Sequence, residues 1–144
     1  MQVYNLEFGP HELVAREGDP STDLYYLKSG RLLICTVHGT EVKAIARIEA
    51  GVFIGELSFF DGKHRASHIV TLEKSTLVQI PKHELSNHLP FWFLEVGKGL
   101  TKKIRRLDEI INTSNLRKIG SEDQKPLTIE EQRKLYSVIT HQHT

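Results

Sequence analysis

The apolar positions of this chain fall into two regimes that change over at Pro81. Before it, short apolar runs follow one another with turn residues between them. Leu13-Val14-Ala15-Arg16 ends at the turn signal Glu17-Gly18-Asp19-Pro20. Leu24-Tyr25-Tyr26-Leu27 and Arg31 to Val37 flank Lys28-Ser29-Gly30, as two antiparallel strands do. His38-Gly39-Thr40 then turns the chain into Val42 to Ile48, which alternates in part between apolar and other residues. Glu49-Ala50-Gly51 leads into a denser stretch over residues 53–67, after which His68 to Leu72 and Thr76 to Pro81 read as returning strands. The first ten residues, mixed in character and closed by Gly9-Pro10, read as a lead-in. Roughly seven or eight short strands with turns about every 8–12 residues are the pattern of an all-β barrel or jelly roll.

After Pro81 the period lengthens. Lys82 to Leu89 predicts a short helix stopped by Pro90, and a long helix begins near Phe91 and runs to about Leu116. Along it Leu100, Ile104, Leu107 and Ile111 fall at spacings of four, three and four, a narrow seam of the two-stranded coiled-coil kind. Lys102, Lys103, Arg105, Arg106, Asp108 and Glu109 lie outside that seam. Phe91, Trp92 and Phe93 are expected to anchor the helices on the barrel. Past a polar connector, Gly120 to Pro126, the run Thr128-Ile129-Glu130-Glu131 has capping-box spacing and opens a last helix through Leu135, Tyr136 and Ile139. Its apolar face is thin, so it needs something to dock on, such as a further domain outside this chain. The expected division is a β core with its short helix over residues 1–90, the long helix over 91–119, and a linker with a terminal helix over 120–144.

Composition narrows the classes. With 144 residues, 39% of them hydrophobic, the chain suits one domain with a proper core. A net charge of +1 implies no general attraction to nucleic acid or membrane. The single Cys35 excludes an internal disulfide. No run approaches a membrane span, and Glu7 with Gly9-Pro10 stands where a signal peptide needs an apolar block, so a cytoplasmic location is expected.

The chemistry concentrates in residues 53–67. Gly55 lets the backbone approach a ligand closely, and Glu56 to Phe60 suffices for one or two helical turns whose free N–H groups favour an anion. Arg65 adds a guanidinium fork suited to phosphate oxygens, and Ser67 a hydroxyl. Glu56 would repel a phosphate, so its carboxylate is better spent on sugar hydroxyls. A ribose carrying a phosphate satisfies all three. The competing reading is a surface loop with an ordinary Glu56–Arg65 ion pair. Phe53, Ile54, Leu57, Phe59 and Phe60 weigh against it, because they draw both charges towards the interior.

Gly-Glu-Leu at 55–57, a short spacer and Arg-Ala-Ser at 65–67 resemble the phosphate-binding cassette of the cyclic nucleotide-binding domain family, found in catabolite activator proteins and protein kinase A regulatory subunits. Glu17 to Gly30 resembles the family's early strand-turn-strand segment, and the likeness runs from about Phe8 to about Leu116. The resemblance implies a mainly β fold with C-terminal helices: a double-stranded β-helix roll followed by a short and a long helix. It implies that Glu56 holds the ribose 2′-hydroxyl, Arg65 the cyclic phosphate, and that Gly55, Leu57, Ala66 and Ser67 contribute amides or a hydroxyl. It also implies a purine resting on apolar strand residues, for which Ile34, Ile45 and Ile48 are candidates, with Asn112 and Thr113 near the adenine edge. Ala66, where a hydroxyl would favour guanine, implies cyclic AMP over cyclic GMP, although Ser67 follows it. A homodimer through the long helix, a non-catalytic sensor role, no cofactor beyond the ligand, and an output domain or protein partner outside this chain complete the expectation. Two other classes stay open at this point. One is a degenerate β-roll used only for dimerisation or interaction. The other is a cupin-like metalloenzyme, although His141 and His143 sit in the tail, His64 and His68 flank the arginine, and the two-histidine cupin pattern does not occur within the strands.

Overall fold

The chain before Pro81 forms eight strands. The computed structural model of the chain describes residues 1–114 and 125–141, with side chains to residue 111 in the first segment. In order, the elements are β1 (Tyr4–Phe8), β2 (Leu13–Ala15), β3 (Leu24–Ser29), β4 (Arg31–His38), β5 (Glu41–Glu49), β6 (Phe53–Ile54), α1 (Glu56–Asp61), β7 (His68–Thr71), β8 (Ser75–Ile80), α2 (Lys82–Ser86), α3 (Phe91–Ser114) and α4 (Ile129–His141). The strands form two antiparallel sheets, ordered β1-β8-β3-β6 and β2-β7-β4-β5. The expected lead-in is therefore a strand: β1 pairs with β8 from Tyr4 opposite Gln79 to Phe8 opposite Ser75.

Side-chain alternation explains why β4 and β7 carry consecutive apolar residues, Leu32-Leu33 and Ile69-Val70. Leu32 and Ile69 point between the sheets, where they meet Ala15, Tyr25, Leu27, Ile54 and Leu77. Their neighbours Leu33 and Val70 point the other way, onto the outer face of the β2-β7-β4-β5 sheet. That face is covered too, by Leu127, Leu135 and Ile139 of the α4 segment, which pack on Leu33, Cys35, Val42, Ala44 and Val70. A strand buried on both faces carries apolar residues on both, and the buried polar residues of β7 are hydrogen-bonded: His68 Nδ1 accepts from Glu17 N and Thr71 Oγ1 donates to Gly9 O.

The terminal helix thus docks on the chain's own roll, and no further domain is needed to cover its apolar face. Its N-terminus carries the expected capping box: Glu131 N donates to Thr128 Oγ1 at 3.1 Å and Thr128 N to Glu131 Oε1 at 3.0 Å. Val42 N donates to Gln132 Oε1 at 3.2 Å, and Arg47 Nη1 to Lys125 O at 3.1 Å. Burying Leu135 and Ile139 stabilises the packed helix by about 1.5–3 kcal/mol each.

The long helix α3 rests on α1. A Cβ at Gly97 would lie 2.1 Å from the Phe60 ring, so the two helices approach as closely as glycine allows. Thr101 is buried in the same contact and donates to Gly97 O at 2.8 Å. One turn further, Arg105 grips the Asp61 carboxylate through Nε and Nη2, the latter at 3.2 Å. The aromatic anchor is smaller than expected. Phe93 reaches Phe60, with ring centroids 6.2 Å apart, whereas Phe91 and Trp92 are 76% and 66% exposed because α3 turns that face away from the roll. Leu100, Ile104 and Leu107 of the predicted seam are also exposed. Among the described residues, no helix is long and apolar enough to cross a membrane.

Candidate functional site

The residues singled out by sequence lie where β6 hands over to α1. Strand β6 pairs with β3, Ile54 opposite Tyr25, and delivers the chain to Gly55, which sits at φ 83° and ψ 14° as the N-cap of α1. This left-handed conformation favours glycine, and the site has a second reason for it: a Cβ there would lie 2.4 Å from Arg65 Nη1. The absent side chain is the space in which the guanidinium lies.

Arg65 is only 5% exposed. Its main chain is fixed on both sides by the turn after β2: Arg65 N donates to Asp19 O at 2.9 Å, and Gly18 N donates to Arg65 O at 2.8 Å. Its side chain donates from Nη1 to Gly55 O at 3.1 Å and from Nη2 to Asp23 O at 2.5 Å. The guanidinium carbon stands 5.5 Å from the centroid of the buried Tyr25 ring, in cation–π range. Nε is buried with no hydrogen-bond partner. Burial lowers the Arg65 pKa, while Tyr25, Asp23, Asp19 and Glu56 pull it back up, and the group stays cationic.

Glu56 opens α1 and is exposed. Although its side chain reaches solvent, the protein packed around its carboxylate raises its pKa, opposed by its own backbone amide and by Arg65. No ion pair joins it to Arg65, so the surface-loop reading does not describe the site. Glu56 and Leu57 line an apolar groove of about 370 Å³ between α1 and α3, with Phe60, Phe93, Gly97 and Leu100 among its walls; Arg65, Ala66 and Ser67 do not line it. Ala66 is exposed and Ser67 half-buried.

The strand candidates separate. Ile34 and Ile48 pack against the inner apolar cluster. Ile45 is the extra residue of a bulge, skipped between the pairs Ile34–Ala46 and Cys35–Ala44, is half-buried, and belongs to neither cluster. The backbone of Asn112 and Thr113 continues α3, but their side chains lie outside the described residues. Among the described residues, no group of three or more His, Cys, Asp or Glu side chains could hold a metal ion.

Two residues that the sequence reading passed over shape the seat of Arg65. Asp23 offers its carbonyl to Nη2, while its carboxylate accepts from Gln79 Nε2 at 2.8 Å and from Lys82 N, the first residue of α2, at 3.0 Å. Tyr25 lies under the guanidinium. In the sequence Tyr25 looks like one more apolar position of a strand, and Asp23 like a turn residue before it.

Comparison with known proteins agrees with this architecture. Residues 5–89 match the family described as the cyclic nucleotide-binding domain. The mouse cyclic nucleotide-gated channel alpha-4 is 26% identical over 113 residues, covering 70% of this chain and 19% of the channel, so the chain spans about a fifth of the length of that relative. The cAMP-bound form of the EAL enzyme Bd1971 superposes with a TM-score of 0.63 at 20% identity, covering 78% of this chain and 31% of that one. The catabolite activator protein of Thermus thermophilus superposes with a TM-score of 0.63 at 20% identity, over 78% of this chain and 54% of that one. At such identities the superpositions establish the β-roll with C-terminal helices, and the family match extends over more than half of the chain. The chain belongs to the cyclic nucleotide-binding domain family.

Proposed function

We propose that this chain is a non-enzymatic cyclic nucleotide sensor that takes cyclic AMP at the cassette and reports it through its helices. The observation that carries the reading is Arg65: a cation almost wholly buried, seated on two main-chain carbonyls and an aromatic face, with no carboxylate paired to it and its Nε unpartnered. A buried charge without a counter-ion is costly, and an anionic ligand compensates it. In this reading Arg65 takes the cyclic phosphate, Glu56 the ribose 2′-hydroxyl, and Gly55, Leu57, Ala66 and Ser67 supply amides or a hydroxyl. The purine lies towards Ile34, Ile45 and Ile48, with Asn112 at its edge. That Bd1971 has cAMP-bound and cGMP-bound forms on the same fold supports a cyclic nucleotide as the ligand class.

Phosphate oxygens compete with Gly55 O and Asp23 O for the guanidinium fork. Gly55 caps α1, which carries α3 through Phe60 and Asp61, and Asp23 holds the start of α2. A ligand on Arg65 therefore shifts the balance between helix positions to the extent that it prefers one of them. The exposed Leu100, Ile104 and Leu107 suit a homodimer through α3, with an output domain or protein partner receiving the signal. Calorimetric titration with cyclic AMP and cyclic GMP tests the reading. Arg65→Gln removes a charge-assisted contact of about 1.5–3 kcal/mol, an affinity loss of about 10- to 150-fold. Failure of both nucleotides to bind would leave the degenerate roll as the better account.

A further inference from the structure

Arg16, at the exit of β2, joins two parts of the molecule that lie 123 residues apart in the chain. Its Nη1 donates to Ile139 O in the last turn of α4, one of the carbonyls that a helix C-terminus leaves without an intrahelical partner. Its main chain closes a turn over residues 16–19: Asp19 N donates to Arg16 O at 3.0 Å, and Arg16 N to Asp19 Oδ2 at 3.0 Å. Glu17 N donates to His68 Nδ1 at 3.1 Å and ties the turn to β7. Through Gly18 and Asp19 the same turn holds both main-chain groups of Arg65. One four-residue turn thus clasps the cassette arginine on one side and the end of α4 on the other.

We propose that nucleotide binding at the cassette is coupled through the Arg16–Asp19 turn to the docking of α4 on the outer sheet. The inference rests on the reading that Arg65 takes the cyclic phosphate. It makes α4 a second responsive element, reached by a route distinct from the α1 contacts that carry α3. A ligand that fixes Arg65 fixes the two hydrogen bonds of its main chain, one donated to Asp19 O and one accepted from Gly18 N, hence the turn, hence the Arg16 guanidinium that caps α4. Opening of the C-terminal end of α4 then becomes rarer, and by linkage a loosened α4 weakens nucleotide binding.

Amide hydrogen exchange across residues 129–141 of the full chain, with and without saturating cyclic AMP, tests the coupling, with occupancy followed by calorimetry. We expect exchange in α4 to slow by about fivefold or more on saturation. In Arg16→Gln, which loses the cap on Ile139 O but keeps the cassette, the slowing should fall below about twofold while binding persists. Arg16→Ala, which removes the side-chain donor altogether, serves as the second variant. Thr128→Ala loosens α4 at its far end and should raise its basal exchange while preserving the response to nucleotide. Saturable binding with unchanged exchange in α4, or a response that survives in both Arg16 variants, overturns the coupling and leaves the binding site standing. Absence of binding by calorimetry overturns both.

Discussion

Replacing Gly55 with alanine tests how tightly the cassette is built around its arginine. At φ 83° an alanine incurs about 1–2 kcal/mol for the left-handed conformation. Its Cβ would stand 2.4 Å from Arg65 Nη1 and 3.2 Å from Asp23 O. The guanidinium is held by hydrogen bonds to Gly55 O and Asp23 O, so it can retreat only by giving up at least one of them, worth about 1.5–3 kcal/mol for a charged donor. Together these predict a loss of about 2.5–5 kcal/mol in stability. Gly39→Ala is the control, because Gly39 also has positive φ, 65°, but nothing lies within 4 Å of an added Cβ. It should cost only the conformational part. Urea unfolding reads both as shifts in midpoint at constant slope, and their difference isolates the crowding of Arg65. Gly55→Ala should also weaken nucleotide binding, since the displaced fork is the proposed phosphate ligand. Equal shifts for the two variants, or parental nucleotide affinity in Gly55→Ala, would refute the reasoning.

A double-mutant cycle on Asp61→Asn and Arg105→Gln should give a coupling of about 1–3 kcal/mol, because the two side chains are only 14% and 20% exposed and meet through two hydrogen bonds. Burial alone would raise the Asp61 pKa, but the Arg105 contact and the Lys63 amide bring it below its ordinary value. With the folded pKa depressed, the contribution is complete above the ordinary carboxylate range and is lost as pH falls through the lowered value; urea midpoints taken down that acidic range should drop less steeply in Asp61→Asn than in the parent. Thr128→Ala removes one half of the capping box and should cost α4 about 1 kcal/mol, seen as faster exchange in residues 129–141 with the strands unaffected. If the strands loosen equally, α4 is part of the roll's cooperative unit and not a separately docked helix.

The strands were legible wherever one face is apolar and a turn residue closes the run, and so was the Thr128–Glu131 cap, since both depend on neighbours in sequence. β1 was missed because Tyr4 to Phe8 is mostly exposed and owes its strand to pairing with β8, some seventy residues away. The position of α4 was hidden for a related reason. Leu33, Cys35 and Val70 carry the signal of a second buried face, but a run buried on both sides does not say what covers it. At the site, Gly55 and Arg65 were identifiable from their chemistry and spacing. Asp23 and Tyr25 act on Arg65 through a main-chain carbonyl and a ring face, and neither leaves a mark that distinguishes it from a turn residue or a core aromatic. Phe91 and Trp92 show the reverse error: large aromatics suggested burial, but α3 meets the roll through Gly97 and Thr101.

The central claim is that the Arg65 guanidinium, in its buried seat, is the group that meets the phosphate. The Nε–H resonance of Arg65, assigned by its loss in Arg65→Lys, reports on this directly because that nitrogen is buried without a partner. On titration with cyclic AMP the signal should shift in step with occupancy and become protected from exchange with water. Saturation of the protein with nucleotide while this resonance stays where it was would contradict the account.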